Sequence, residues 1–220
     1  MEKTAYLQNE IDLIKNERIK DFLIGAINDV PDYFFKAPAS SSGKFHPQYA
    51  LGEGGLLRHT KAATKFLNHL LTMEHNRVHF TEDERDLALC AIILHDTRKS
   101  GDTCEKTVEA VDSTTKEVYE SKTLPNHPKL AALAIVANTD NYKKLTHKEG
   151  SFMLKGILSH MGEWNTDRNN NNKVILPKPT SLLQQLVHTA DFLASRKDLS
   201  VDLSNDKMAY PQTEEVEPTK

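Results

Sequence analysis

A chain of 220 residues with 38% hydrophobic and 27% charged side chains has the composition of an ordinary globular protein and can bury a core without a disulfide or a metal. The formal net charge of -3 gives no support for a broad nucleic-acid-binding patch, and no run approaches the ~20 apolar residues that span a bilayer. Cys90 sits in an apolar run and Cys104 in a polar one, so neither a disulfide framework nor a zinc knuckle is expected; the first twenty residues lack a signal-peptide pattern, and the expected compartment is the cytoplasm.

Apolar residues recur at three- and four-residue steps from Ile11 through Phe22, Leu23 and Ile27 to Val30, predicting one leading amphipathic helix over residues 7–30, ended by Pro31. Residues 37–47 are too rich in Pro, Ser and Gly for regular structure. A second helix is predicted over 54–73. A third is opened by the capping box Thr81–Glu84 and runs to Leu94, with His95-Asp96 at its end. Two partly β-branched runs, 107–111 and 116–121, joined by Asp112-Ser113-Thr114-Thr115, suggest a hairpin. Helical patterns resume over 128–138, 150–160 and 181–196, and 165–173, with its five asparagines, reads as a solvated loop. The expected organisation is an N-terminal helix (1–34) packed on a core domain (35–198), followed by a polar, acidic tail with little order of its own (199–220). The fold class is mainly α with a small β-hairpin insertion.

Several chemically capable side chains emerge from apolar helical faces. His59 lies among Leu56, Leu57, Ala62 and Ala63, His95-Asp96 closes the run 87–94, His160 closes 152–158, and Asp191 lies within 186–193. Burying such groups without partners is costly. Imidazole nitrogens and carboxylate oxygens converging from several helices are what a divalent metal site in a bundle core requires. The competing reading is a set of core histidines, each satisfied separately. In the loop, the hydroxyls and backbone N–H groups of Ser40-Ser41-Ser42-Gly43 and the side chains of Lys44 and His46 suit a phosphate, although this is not a Walker A sequence. Arg196, five residues beyond Asp191, is a further candidate for an anionic group.

The order His59, His95-Asp96, Asp191 resembles the signature of the HD superfamily of metal-dependent phosphohydrolases. The segments FKAPA (35–39), GGLLRHT (54–60), LHDTRK (94–99), SHMG (159–162) and PKPTSLLQQLVHTAD (177–191) are similar to the HD domain of HD-type 3′–5′ exoribonucleases, a likeness spanning about 35–196. The resemblance implies an HD-domain helical bundle in which His59, His95, Asp96 and Asp191 ligate one divalent ion (Mn, Fe, Co, Ni, Mg or Zn). It also implies a second ion at His127 and His160, bridged by Asp96, with Met161 standing where many relatives carry another histidine. Asp96 and Lys99 become the catalytic pair, with Lys99 on a phosphate. Lys44, His46, Arg98 and Arg196 are the candidate substrate contacts, Arg98 occupying a position often held by glycine.

The implied activity is a phosphohydrolase or phosphodiesterase using metal-activated hydroxide on a nucleotide or short oligonucleotide. The alternatives are a 3′–5′ exoribonuclease module and a non-catalytic, metal-stabilised nucleotide-binding protein. The first 35 residues lack the pattern of the oligonucleotide-binding domain found in those nucleases, which points away from long single-stranded RNA. A homo-oligomer is compatible with all three readings.

Overall fold

The computed structural model describes residues 2–40, 43, 44, 46–111, 114–120 and 122–209. Ser41, Ser42 and Phe45 of the loop, the hairpin's Asp112 and Ser113, Ser121 and the acidic segment 210–220 lie outside the described residues.

The fold is built around a helix buried on every side. In α5 (Glu82–Leu94) each residue from Asp86 to Leu94 is buried, and the capping box at Thr81 and Glu84 starts it. Such a helix can only be central. It packs against α2 (Glu17–Asn28), α3 (Gly55–Thr72), α8 (His147–Ser159) and α9 (Leu182–Ala194). Around these stand α1 (Gln8–Ile11), α4 (Glu74–Arg77), α6 (His127–Ala137) and α7 (Thr139–Tyr142), with short 3-10 turns at Lys3–Leu7, Asp32–Phe35 and Gln48–Ala50. No described helix is long and apolar enough to cross a membrane.

The protein is mainly helical, with two small antiparallel hairpins. β1 (Lys106–Val111) pairs with β2 (Thr114–Tyr119) in a register running from Lys106 opposite Tyr119 to Val111 opposite Thr114. Thr114 and Thr115 therefore belong to the strand, not the turn. The second hairpin, β3 (Thr166–Asp167) with β4 (Lys173–Val174), lies in the segment expected as loop. Its bend passes through Asn171 and Asn172 at φ 50° and 55°, a left-handed conformation that asparagine tolerates better than most residues.

Two expectations fail at the ends of the chain. The helix predicted over 7–30 breaks between α1 and α2, because the backbone N–H groups of Lys15 and Asn16 donate to Asp86 Oδ2 at 3.0 and 2.8 Å. Asn16 then caps α2, its side chain accepting from Arg18 and Ile19. Apolar spacing continues across the break, so periodicity alone could not reveal it. At the other end, residues 200–209 are not a loose tail. Leu203, Asp206 and Ala209 are buried, Asp206 accepts a 2.7 Å bond from the buried Lys61 ammonium, and the Ala209 carbonyl accepts from Arg58 at 3.1 Å.

Candidate metal centre

The candidate residues are delivered by helix ends and by two buried helical faces. His95 is the C-cap of α5 with Asp96 following it, His160 is the C-cap of α8, and His127 opens α6. His59 comes from α3 and Asp191 from α9. All six converge.

Asp96 sits between two sets of ligand-type groups. Its Oδ2 lies 3.8 Å from His59 Nε2 and 3.6 Å from His95 Nε2. Asp191 Oδ1 completes that side, 3.0 Å from His59 Nε2 and 3.4 Å from His95 Nε2. On the other side Asp96 Oδ1 lies 2.9 Å from His127 Nε2 and 3.6 Å from His160 Nε2, and those two nitrogens are 3.1 Å apart. Two groups, His59–His95–Asp191 with Asp191 partly exposed and the wholly buried His95–Asp96–His160, each bring three ligand atoms within 4.8 Å of one another and could hold a metal ion.

Proton bookkeeping shows why a cation fits. The Nδ1 atoms of His95, His127 and His160 lie 2.6, 2.7 and 2.8 Å from the carbonyls of Ile92, Leu124 and Ile157. A carbonyl only accepts, so each Nδ1 carries a proton, and a ring in its neutral form then turns an Nε2 lone pair inward. Those lone pairs face carboxylate oxygens and one another. His95 Nε2 and Asp96 Oδ1 are buried without a well-aligned hydrogen bond. Acceptors facing acceptors repel unless a cation lies among them or the rings protonate. For His160 the second route is opposed, since burial, aided by the neighbouring His95, pushes its pKa down to about 3. At His95 burial, the strongest single influence, also resists charge, yet Asp96 and Asp191 outweigh it and raise the pKa. Both carboxyls are held well below the usual range: burial works against this, but Lys99 and His95 prevail at Asp96, and His59 and His95 at Asp191. This point in the fold favours positive charge.

Above it opens a cleft of about 250 Å³ lined by Asp96, Asp191, His127, His160, Lys99, His46, Arg196 and Trp164, among others. Lys99 donates to Asp96 Oδ2 at 2.6 Å while its side chain also borders the cleft. His46 has its ring 6.1 Å from that of His59 and a buried Nδ1 with no hydrogen-bond partner among the described residues; burial, reinforced by His59 and Lys99, pushes its pKa down to about 4. The Arg196 guanidinium lies 4.3 Å from the centre of the Phe192 ring.

Two expected substrate contacts are not brought to this cleft. Arg98, in the turn after α5, points away; it donates to Asp102 at 3.0 Å and to the Asp29 carbonyl at 2.8 Å, bracing α5 against α2. Two residues along a tight turn suffice to reverse a side chain's direction relative to Asp96. Lys44 is exposed and does not line the cleft. Conversely, Trp164, Phe192, Ser195 and Thr123 line it without having been singled out in the sequence. Only Trp164, the sole tryptophan and four residues beyond His160, offered a signal. His188 donates from Nδ1 to the His160 carbonyl at 2.6 Å, while His69, His75, His79 and His147 are exposed.

Comparison with protein-family models, curated proteins and solved structures finds no match to this chain.

Proposed function

We propose that the chain is a metal-dependent phosphohydrolase or phosphodiesterase of the HD superfamily, acting on a nucleotide or short oligonucleotide. The observation that carries this reading is the placement of Asp96, whose two oxygens face two separate sets of imidazole and carboxylate ligands. His59, His95, Asp191 and Asp96 Oδ2 would hold one divalent ion, and Asp96 Oδ1, His127 and His160 a second. The mixed nitrogen and oxygen donors suit Mn²⁺, Fe²⁺, Co²⁺, Ni²⁺ or Zn²⁺, with Mg²⁺ the hardest candidate. A divalent ion held there supplies Lewis acidity and lowers the pKa of bound water from about 16 toward ~7.

The protein's own groups do the rest. Asp96 would contribute one oxygen to each ligand set and so fix the two relative to one another. Lys99, beside Asp96 and open to the cleft, offsets charge that builds on the phosphoryl oxygens in the transition state. Arg196 and His46 stand at the wall where the remainder of an anionic substrate would lie. The Nδ1–carbonyl bonds keep three rings from turning, so the site is ordered before substrate arrives.

The test combines metal binding with turnover. A panel of mononucleotides, cyclic nucleotides, cyclic dinucleotides and short RNAs is incubated with Mn²⁺, Mg²⁺, Co²⁺ or Ni²⁺, and products are resolved by chromatography. Release of phosphate or of a single nucleotide species is expected, dependent on metal and abolished by chelation. Stepwise release of mononucleotides from RNA would instead identify the exoribonuclease module. A ligand at a hundredfold excess over its Kd stabilises by about 2.7 kcal/mol. At ~2–4 °C per kcal/mol for a chain of this size, the melting temperature should rise by roughly 5–10 °C on adding the preferred ion to chelated protein. No shift with any divalent ion would overturn the metal centre. A shift without turnover on any substrate would leave a binding protein.

A further inference from the structure

We infer that Trp164, seated on Phe192 at the cleft, is the platform on which the planar base of the substrate stacks. The inference rests on the nucleotide reading of the cleft and adds to it the residue that recognises the base.

Six large apolar side chains are exposed among the described residues: Met73, Val78, Leu133, Val136, Trp164 and Val174. Only Trp164 lines the cleft that holds the ligand cluster. Its indole is 45% exposed yet lies almost parallel to the Phe192 ring, with centroids 5.8 Å apart and 13° between planes. The His188 ring lies 6.3 Å away at 52°, and with both rings in place Trp164 is still nearly half exposed. The Arg196 guanidinium packs 4.3 Å from the Phe192 centroid, so three planar groups form one wall. A site for phosphate alone has no use for such a wall, because Lys99, Arg196 and the ligand cluster already meet the charge.

The backbone around Trp164 is built to hold it. Gly162 adopts φ +56°, and a Cβ there would run into the His188 ring. That close approach lets His188 bond the His160 carbonyl at 2.6 Å, tying the turn to a ligand-bearing helix end. The Trp164 backbone N–H donates to the Met161 carbonyl at 3.0 Å. Next in the chain, buried Asn165 accepts from Ile175 and Leu176 through its carbonyl and donates from Nδ2 to the Leu176 carbonyl at 3.0 Å. Trp164 therefore stands on a pinned turn, and little ordering remains to be done when a ring stacks on it. Stacking on an aromatic face strengthens binding for every base alike. The expected specificity is for a nucleobase as such, with modest preference among bases.

Because Trp164 is the only tryptophan in the chain, its emission reports on the platform directly. The metal-loaded protein is titrated with AMP, GMP, CMP and UMP, and separately with ribose 5-phosphate and inorganic phosphate. The nucleotides should quench Trp164 saturably, and the two base-free ligands should not. By calorimetry, Trp164→Ala should weaken nucleotide binding by about tenfold, the scale of one base–aromatic contact, and leave ribose 5-phosphate unchanged. Trp164→Phe should retain most of the affinity, and both variants should bind Mn²⁺ as the wild type does. Equal quenching by ribose 5-phosphate, or unaltered nucleotide affinity in Trp164→Ala, would overturn the platform. Quenching by nucleotides without hydrolysis would leave the platform standing and remove the enzymatic reading. Hydrolysis with unchanged KM in Trp164→Ala would remove the platform alone.

Discussion

Asp96 concentrates the chemistry of the cluster in one carboxyl group. One oxygen accepts from Lys99 at 2.6 Å and faces His59 and His95; the other faces His127 and His160. No other described side chain borders both ligand sets with separate oxygens. Asp96→Ala should therefore weaken both candidate ion sites together and release Lys99 from its partner. Loss of a transition-state interaction lowers kcat as well as kcat/KM, so the deficit should persist at saturating substrate and excess metal. The expected fall is at least ~100-fold, equivalent to about 2.7 kcal/mol. Circular dichroism should remain that of the wild type, since apolar helices provide the core. A folded Asp96→Ala protein with near-wild-type turnover would remove the proposed mechanism.

Helix termini explain how histidines are aimed. The last carbonyls of an α-helix have no intrahelical partner. At the ends of α5 and α8 the carbonyls of Ile92 and Ile157 take the Nδ1 protons of His95 and His160, three residues on, which turns both Nε2 atoms toward Asp96. The start of α8 matters for a different reason. Glu149 completes the capping box with Thr146 and also receives both guanidinium nitrogens of Arg18 from α2, at 2.9 and 2.6 Å. Arg18 is the chief cause that lowers the Glu149 pKa from the ordinary 4.5 to about 2. A carboxyl with a depressed folded-state pKa stabilises fully above its unfolded value and loses that contribution as pH falls through the folded one. Arg18→Ala should thus melt below wild type at pH 7, and the gap should narrow progressively below about pH 4.5. A gap constant from pH 7 to pH 3 would mean that the clasp contributes through packing alone.

Both ends of the chain are tied to the middle through one buried ammonium. Lys61, wholly buried in α3, donates to Glu10 at 2.8 Å and to Asp206 at 2.7 Å. Burial raises the Glu10 pKa, whereas Asp206 is lowered, Lys61 outweighing the opposing effect of burial. One positive charge among two carboxyls leaves Glu10 the easier one to neutralise. Lys61→Met should strand two acids in an apolar setting, and breaking a buried pair costs roughly 3–5 kcal/mol. For a chain of this length that is a drop of roughly 6–20 °C in melting temperature. Glu10→Gln should cost far less than Asp206→Asn. Equal costs would show that the two carboxyls share the charge evenly.

The main helices and the polar groups at their ends were legible in the sequence because both signals are local. A 3.6-residue apolar period marks α3, α8 and α9, a continuous apolar run behind a capping box marks α5, and a histidine or aspartate closing such a run is conspicuous wherever it lies. His59, His95, Asp96, His160 and Asp191 could be named on those grounds, and His127 only through the resemblance to the HD superfamily; the distances between them could not. What stayed hidden depends on partners far away in sequence. Asp86 interrupts the first helix from 70 and 71 residues on. Lys61 and Arg58 draw in residues 200–209, whose polar composition read as tail. Arg98 turns toward α2, away from the cluster. Trp164 joins the cleft because α9 sets Phe192 beneath it. A side chain's direction and its distant neighbour are set by packing among helices, and no window of sequence contains both members of such a pair.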